Sequence, residues 1–175
     1  MRNRFPWMAA GMLVLTASGC LVIDFSDPPF DATGTYLGSW EGQVTGSANM
    51  VDGCAVTLKL NQRTTTAFPG NYRLDGELFL NFTCPSLIWA LSRYSLPASA
   101  TIQVTGLMLP GGQIYLGSLG GSAGGVDLAS IDGRGHDDNA DGVMDALDGD
   151  FALHFTFPGA ESVSIEGEIS LARSR

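Results

Sequence analysis

Five carboxylates crowd into twelve residues of the C-terminal third: Asp137, Asp138, Asp141, Asp145 and Asp148, with Asn139 among them. At neutral pH such a group repels itself unless a cation lies in it. Clustered oxygen donors suit a hard divalent cation, and Ca²⁺ accepts their irregular geometry. The bland alternative is a solvated acidic turn. Other residue types offer less chemistry. His136 and His154 are isolated, without metal-ligand spacing. Neither belongs to a recognisable Ser or Cys nucleophile motif. Two of the 18 acids could pair as glycoside hydrolysis requires, but nothing in their order selects a pair. Gly120-Gly121 and Gly124-Gly125 form a Ser-containing loop with no helix behind it to cradle phosphate. The expectation is ion binding without catalysis, so no enzyme.

The order Asp137 to Asp148 resembles the EF-hand-type calcium loop, and specifically the loop of dockerins, which also place Asp at position 12. The resemblance implies Asp137, Asn139, Asp141, Asp145 and Asp148 as side-chain ligands at positions 1, 3, 5, 9 and 12. Gly142 then supplies the sharp turn and Val143 a backbone carbonyl, while Asp138 points away. The match covers one copy and runs into a strand rather than a helix, so cohesin pairing is not implied.

The N-terminus carries an address. Arg2 and Arg4 precede an apolar stretch, Phe5 to Ala17, and the small residues Ala17-Ser18-Gly19. That order is a secretory signal, too short in its apolar part for the ~20 residues of a spanning helix. Cys20 follows directly, and Ser18-Gly19-Cys20 resembles the lipobox of bacterial lipoproteins, with Ala17 where the family prefers Leu. The resemblance implies cleavage before Cys20, acylation of that residue and a membrane anchor. Leu21 in place of Asp implies the outer membrane in a Gram-negative host, and otherwise the outer face of the cell membrane. Ala17-Ser18-Gly19 equally fits an ordinary A-x-A-like cut, which would release a soluble secreted protein. Three Cys are an odd number, so Cys20 is the spare if Cys54 and Cys84 pair in the oxidising compartment that export supplies. The organisation expected is a signal over 1–19, the lipidated Cys and a tether over 20–33, and a domain over 34–175 with an acidic loop at 132–150.

What must position these residues is a run of β-strands. Apolar residues alternate in Tyr36 to Val44, Val56 to Leu60, Leu74 to Phe82, Ile102 to Met108, Phe151 to Phe157 and Val163 to Leu171, with shorter stretches at Ile114 and Val126. Period two bounded by Gly and Pro marks half-buried antiparallel strands. The fold expected is all-β, about eight strands in a small meander barrel, with a β-sandwich as the alternative. Gly76, Gly106 and Gly167 sit mid-strand on inward parity, where sharp coiling closes small barrels. Pro85 to Leu91 breaks the alternation and predicts a short helix near 85–92. A hairpin centred on Pro69-Gly70 would set Val56 opposite Phe82, Leu58 opposite Leu80 and Cys54 opposite Cys84. One centred on Pro158-Gly159-Ala160 would set Phe155 opposite Ile165 and Leu153 opposite Gly167.

Composition limits the function. Of 175 residues, 45% are hydrophobic and 15% charged, which excludes a disordered chain. Eighteen acids against nine bases give −9, and phosphate would be repelled, so nucleic acid is not a partner. The reading is a lipid-anchored envelope or surface β-domain with a binding or structural role, braced by Ca²⁺ and a disulfide. Two alternatives stand beside it. Gly38-Ser39-Trp40 resembles the lipocalin G-x-W element, implying a carrier of a small apolar ligand. The acidic charge fits an inhibitor of a cationic enzyme.

Overall fold

The computed structural model describes residues 28–64, 72–119, 125–157 and 162–174. Cys20, Pro69-Gly70 and Pro158-Gly159-Ala160 lie outside the described residues. Eight strands follow the predicted alternation: β1 Gly34–Val44, β2 Met50–Thr64, β3 Tyr72–Asn81, β4 Ser99–Met108, β5 Gln113–Ser118, β6 Val126–His136, β7 Ala146–Thr156 and β8 Ser162–Arg173. Each pairs antiparallel with its neighbour in sequence, and β8 returns to β1 to close the barrel. The β-sandwich alternative is thereby set aside. The predicted helix is α1, Pro85–Ala90, with Pro85 in its first turn and Leu87 buried.

The circuit can be followed through its pairings. Asn61 lies opposite Asp75, then Thr105, Gly117, Ser130, Ala152, Glu166 and Gln43. Gly34 is opposite Leu60, so Asn61 returns one step further on, at Thr33. The barrel closes with an offset of ten residues, from Thr33 to Gln43. Eight strands tilted by about 40° leave an interior that side chains can fill. Tyr36, Trp40, Phe82 and Phe155 do so, with Leu58, Leu74, Leu78 and Leu80 around them, all fully buried. Trp40 meets Phe151 at 5.4 Å between ring centroids, and Phe82 meets Phe155 at 5.6 Å.

Both expected hairpin registers need correction by two residues. Val56 faces Leu80 rather than Phe82, and Leu58 faces Leu78. Leu153 faces Ile165, and Phe151 rather than Leu153 stands opposite Gly167. The inward set is unchanged, because a shift of two keeps every side chain on its own face. Glycine shows what selects the observed register. A Cβ at Gly76, Gly106 or Gly167 would fall onto the carbonyl oxygen of Lys59, Tyr115 or Glu41.

The disulfide Cys54–Cys84 forms, with Cα atoms 5.2 Å apart. It is not the cross-strand rung expected. Cys54 pairs with Trp40 on β1, while Cys84 lies beyond the end of β3 and caps α1. The turn into the helix brings the two thiols together.

The stretch expected to be tether is partly domain. Phe30 and Ala32 are buried. Asp31 makes a parallel bridge to Val143, its N–H donating to the Gly142 carbonyl (2.8 Å) and its carbonyl accepting from Met144 N–H (3.0 Å). Phe30 sits beside Gly112 and Gly135; a side chain at Gly135 would collide with its ring, and one at Gly112 would press on it. This strap enters at the pole that holds the acidic loop, whereas α1 and the β1–β2 turn occupy the other pole.

Candidate functional site

The acidic loop joins β6 to β7 and is folded by its own side chains. Both oxygens of Asp137 accept backbone N–H groups, Oδ1 from Asp141 (3.1 Å) and Oδ2 from Gly142 (2.9 Å). Asn139 Oδ1 accepts from Asp141 N–H and Asp141 Oδ1 from Val143 N–H, each at 2.9 Å. Short polar side chains reach their own backbone two residues on, which is why Asp and Asn build such turns. Ala140 has φ 58° and Gly142 φ 82°, and a β-branched residue at the second position would be strained.

The predicted ligands fall into two groups. Asp137, Asn139 and Asp141 converge on one stretch of backbone. Asp145 Oδ2 accepts from Asp138 N–H (3.0 Å), and the Asp138 residue is exposed. Val143 is held by the strap through Asp31. Asp148 lies further on, on the outer face of β7 opposite Arg134, with its Oδ2 3.8 Å from His136 Nε2. Among the described residues, no three His, Cys, Asp or Glu side chains form a group that could hold one metal ion.

A second feature is absent from the motif reading. Asp132 stands directly opposite Asp150, Asp150 opposite Glu168, and Glu168 opposite Glu41. All four are exposed and form one carboxylate row across β6, β7, β8 and β1. No base among the described residues pairs with any of them. Like charges directly opposed across strands are destabilising. A groove of about 550 Å³ runs along this face, lined by Glu41, Asp148, Asp150 and Glu168 with Arg134 and His136. Each acid has outward parity in the sequence, but their opposition needs the register. The expected β7–β8 register would have set Glu168 against Ala152.

The strap and the loop are tied to the C-terminal strand. The buried Tyr36 hydroxyl donates to the Ala32 carbonyl (3.0 Å), and Arg173 Nη2 donates to the Thr33 carbonyl (2.9 Å). Burial pushes the Tyr36 hydroxyl above its ordinary pKa, opposed by the hydrogen bond and charge of Arg173. Gln62 holds the strap from β2, its Oε1 accepting from Ala32 N–H (2.7 Å).

His154 has a ring nitrogen 2.9 Å from Ser164 Oγ on the outer face of β7 and β8. Trp40, the G-x-W residue, lies mid-barrel beside Cys54 and Ile169, and its buried indole N–H has no acceptor among the described residues. Cys20 lies outside the described residues. None of the described helices is long and apolar enough to cross a membrane. The chain matches no protein-family model, no curated protein and no solved structure.

Proposed function

We propose that this disulfide-braced barrel is an exported envelope domain, held to a membrane by acylated Cys20, with a binding or structural role and no catalysis. The observation that supports it best is the strap. Phe30 and Asp31 dock at the acidic-loop pole, so an anchor at Cys20 would grip the barrel by that end. Seven residues lie between Cys20 and Pro28, so the eight Cα–Cα steps reach at most about 28 Å. The test is intact mass and detergent partitioning of the exported protein against Cys20→Ala. The reading requires an acylated N-terminus and loss of membrane association in the variant. An unmodified Cys20 in the aqueous fraction rejects it.

Ca²⁺ belongs to the same reading as a structural ion at 137–148. The donor set is all oxygen, as a hard cation requires. Asp137, Asn139 and Asp141 would hold it, with Asp145 and the Val143 carbonyl. A carboxylate has about four lone-pair sites, so the backbone bonds leave capacity. The ion would supply charge compensation and rigidity, and Asp148 would have to leave His136 to join it.

The carboxylate row favours a second reading, an inhibitor or binder of a cationic protein. Complementary fields steer association and weaken with salt. Binding of a basic hydrolase that falls steeply from low to high salt, and disappears on Glu168→Lys, supports it. A salt-independent response removes it. The carrier reading finds less support, because the interior is filled by aromatic and Leu side chains and the described grooves lie on the outside and rims.

A further inference from the structure

The pole opposite the strap carries a groove of different character. It is about 490 Å³, within the range of small-ligand sites. Trp89 and Tyr94 line it, with Asn49, Ser47, Ser92 and Arg93. Trp89 is 69% exposed on a helix of one and a half turns. A large indole left in water at such a position forgoes the burial its area would give. Ile88 at 51% and Met50 at 57% are also exposed at this pole but do not line the groove.

The lining narrows the class of ligand. No Asp or Glu is among the described lining residues, in a chain with twice as many acids as bases. Arg93 lies over the Tyr94 ring at 4.9 Å, and that ring stacks on Phe157 at 4.3 Å, so Tyr94 is engaged while the groove keeps the positive charge of Arg93. What remains is an open aromatic surface beside an amide and two hydroxyls. The backbone around it is held firmly: Asn49 O accepts from Val44 N–H (3.0 Å), Asn49 Nδ2 reaches the Ala90 carbonyl (3.4 Å), and Cys84 ties the start of α1 to β2. The ligand should therefore carry no positive charge, and be hydroxylated on its edges and apolar on its flat faces. The C–H groups on a pyranose face are weakly electropositive and pack on the negative face of an indole. Its hydroxyls match the amide and the serines. We infer that this groove binds a neutral saccharide chain, with Trp89 as the stacking platform and Asn49 as the hydrogen-bonding side chain. The inference stands on this pole alone and does not depend on lipidation or Ca²⁺.

The experiment follows the Trp89 indole N–H in ¹H–¹⁵N spectra of the exported protein in detergent-free buffer. The probes are cellotriose, maltotriose and the N-acetylglucosamine trimer. The expected result is a saturable shift with at least one trisaccharide, with a dissociation constant of the order of 1 mM. Trp89→Ala, followed through the Asn49 side-chain amide, should weaken that binding about tenfold, the worth of one aromatic stacking partner. Ile88→Ala, exposed on the same helix but outside the groove, should leave it unchanged. No shift with any of the three overturns the proposal, as does equal loss in Ile88→Ala. A Trp89 shift with phosphatidylglycerol vesicles and none with sugar also overturns it, making the pole a lipid contact.

Discussion

Opposite sides of one barrel treat charge in opposite ways. Across β2, β3 and β4 the outward charges are of both signs, and even Arg63 and Arg73, which stand directly opposite each other, share the carboxylate of Asp75. Lys59 stands opposite Glu77, and Glu77 accepts from Gln103 Nε2 at 3.0 Å. Asp75 lies between Arg73 (3.0 Å) and Arg63 (3.6 Å) and accepts from the Thr105 hydroxyl (2.9 Å). Across β6, β7, β8 and β1, Asp132, Asp150, Glu168 and Glu41 stand in a row with no base between them. The same strand geometry that sets bases beside acids on one face leaves the other with a row of four carboxylates that no base opposes. The mixed face needs nothing from outside. The acidic face gains from any cation or cationic surface brought to it.

The largest effect should come from breaking the frame on the mixed side. Removing the disulfide with a Cys54→Ser, Cys84→Ser pair frees a loop spanning 30 positions in sequence, a loss of about 3–4 kcal/mol by loop-closure entropy. Denaturant unfolding measures it. Hydrogen exchange should rise in β2 and α1 before β7 and β8. Uniform exchange across both sides would mean that the bond does not favour either face.

The proposed calcium loop lies at the end of the acidic side. At 100-fold over its dissociation constant, Ca²⁺ should raise stability by about 2.7 kcal/mol, provided the unfolded chain does not bind. Asp141→Ala and Asp145→Ala should abolish the gain, and Asp138→Ala should leave it nearly intact. Thermal unfolding with calcium and with chelator checks all three. An unchanged wild-type midpoint with no heat of binding reduces the loop to a solvated turn.

Charge reversal tests the comparison itself. Glu168→Lys places a base between Asp150 and Glu41 and should stabilise by a few tenths of a kcal/mol at low salt, fading as salt rises. Glu77→Lys opposes Lys59 and should destabilise by a similar amount. Equal signs for the two variants would break the contrast.

The smallest effect is in the acid limb. The Asp75 carboxyl is held below its ordinary range: desolvation pushes it up, but the Thr105 hydrogen bond and the Arg73 and Arg63 charges outweigh that. A depressed folded pKa adds stability above the unfolded value of about 3.9, and this is lost as pH falls through the folded one. Asp75→Asn should thus lower the thermal midpoint at pH 7 and flatten its fall below about pH 4. A midpoint difference that persists undiminished in acid would show the loss to be packing rather than charge.

Period two is local, so the sequence determined by itself which side chains face in, the strand count, the break at Pro85 and the counting argument for Cys54 with Cys84. The oxygen-rich order from Asp137 to Asp148 is local as well, and its turn forms from bonds spanning two to seven residues. The strap was hidden, because Phe30 finds its seat against Gly112, Gly135 and Met144, residues remote in sequence. Register was hidden too. Alternation is blind to a shift of two, so Val56 against Phe82 and Val56 against Leu80 read alike from the pattern. Only closure chose between them. Eight pairings must agree around one circuit with a ten-residue offset, and inward glycines admit a neighbouring carbonyl only at particular rungs. That choice put Glu168 beside Asp150 rather than Ala152, and so made an acidic face out of acids that are merely scattered along the chain.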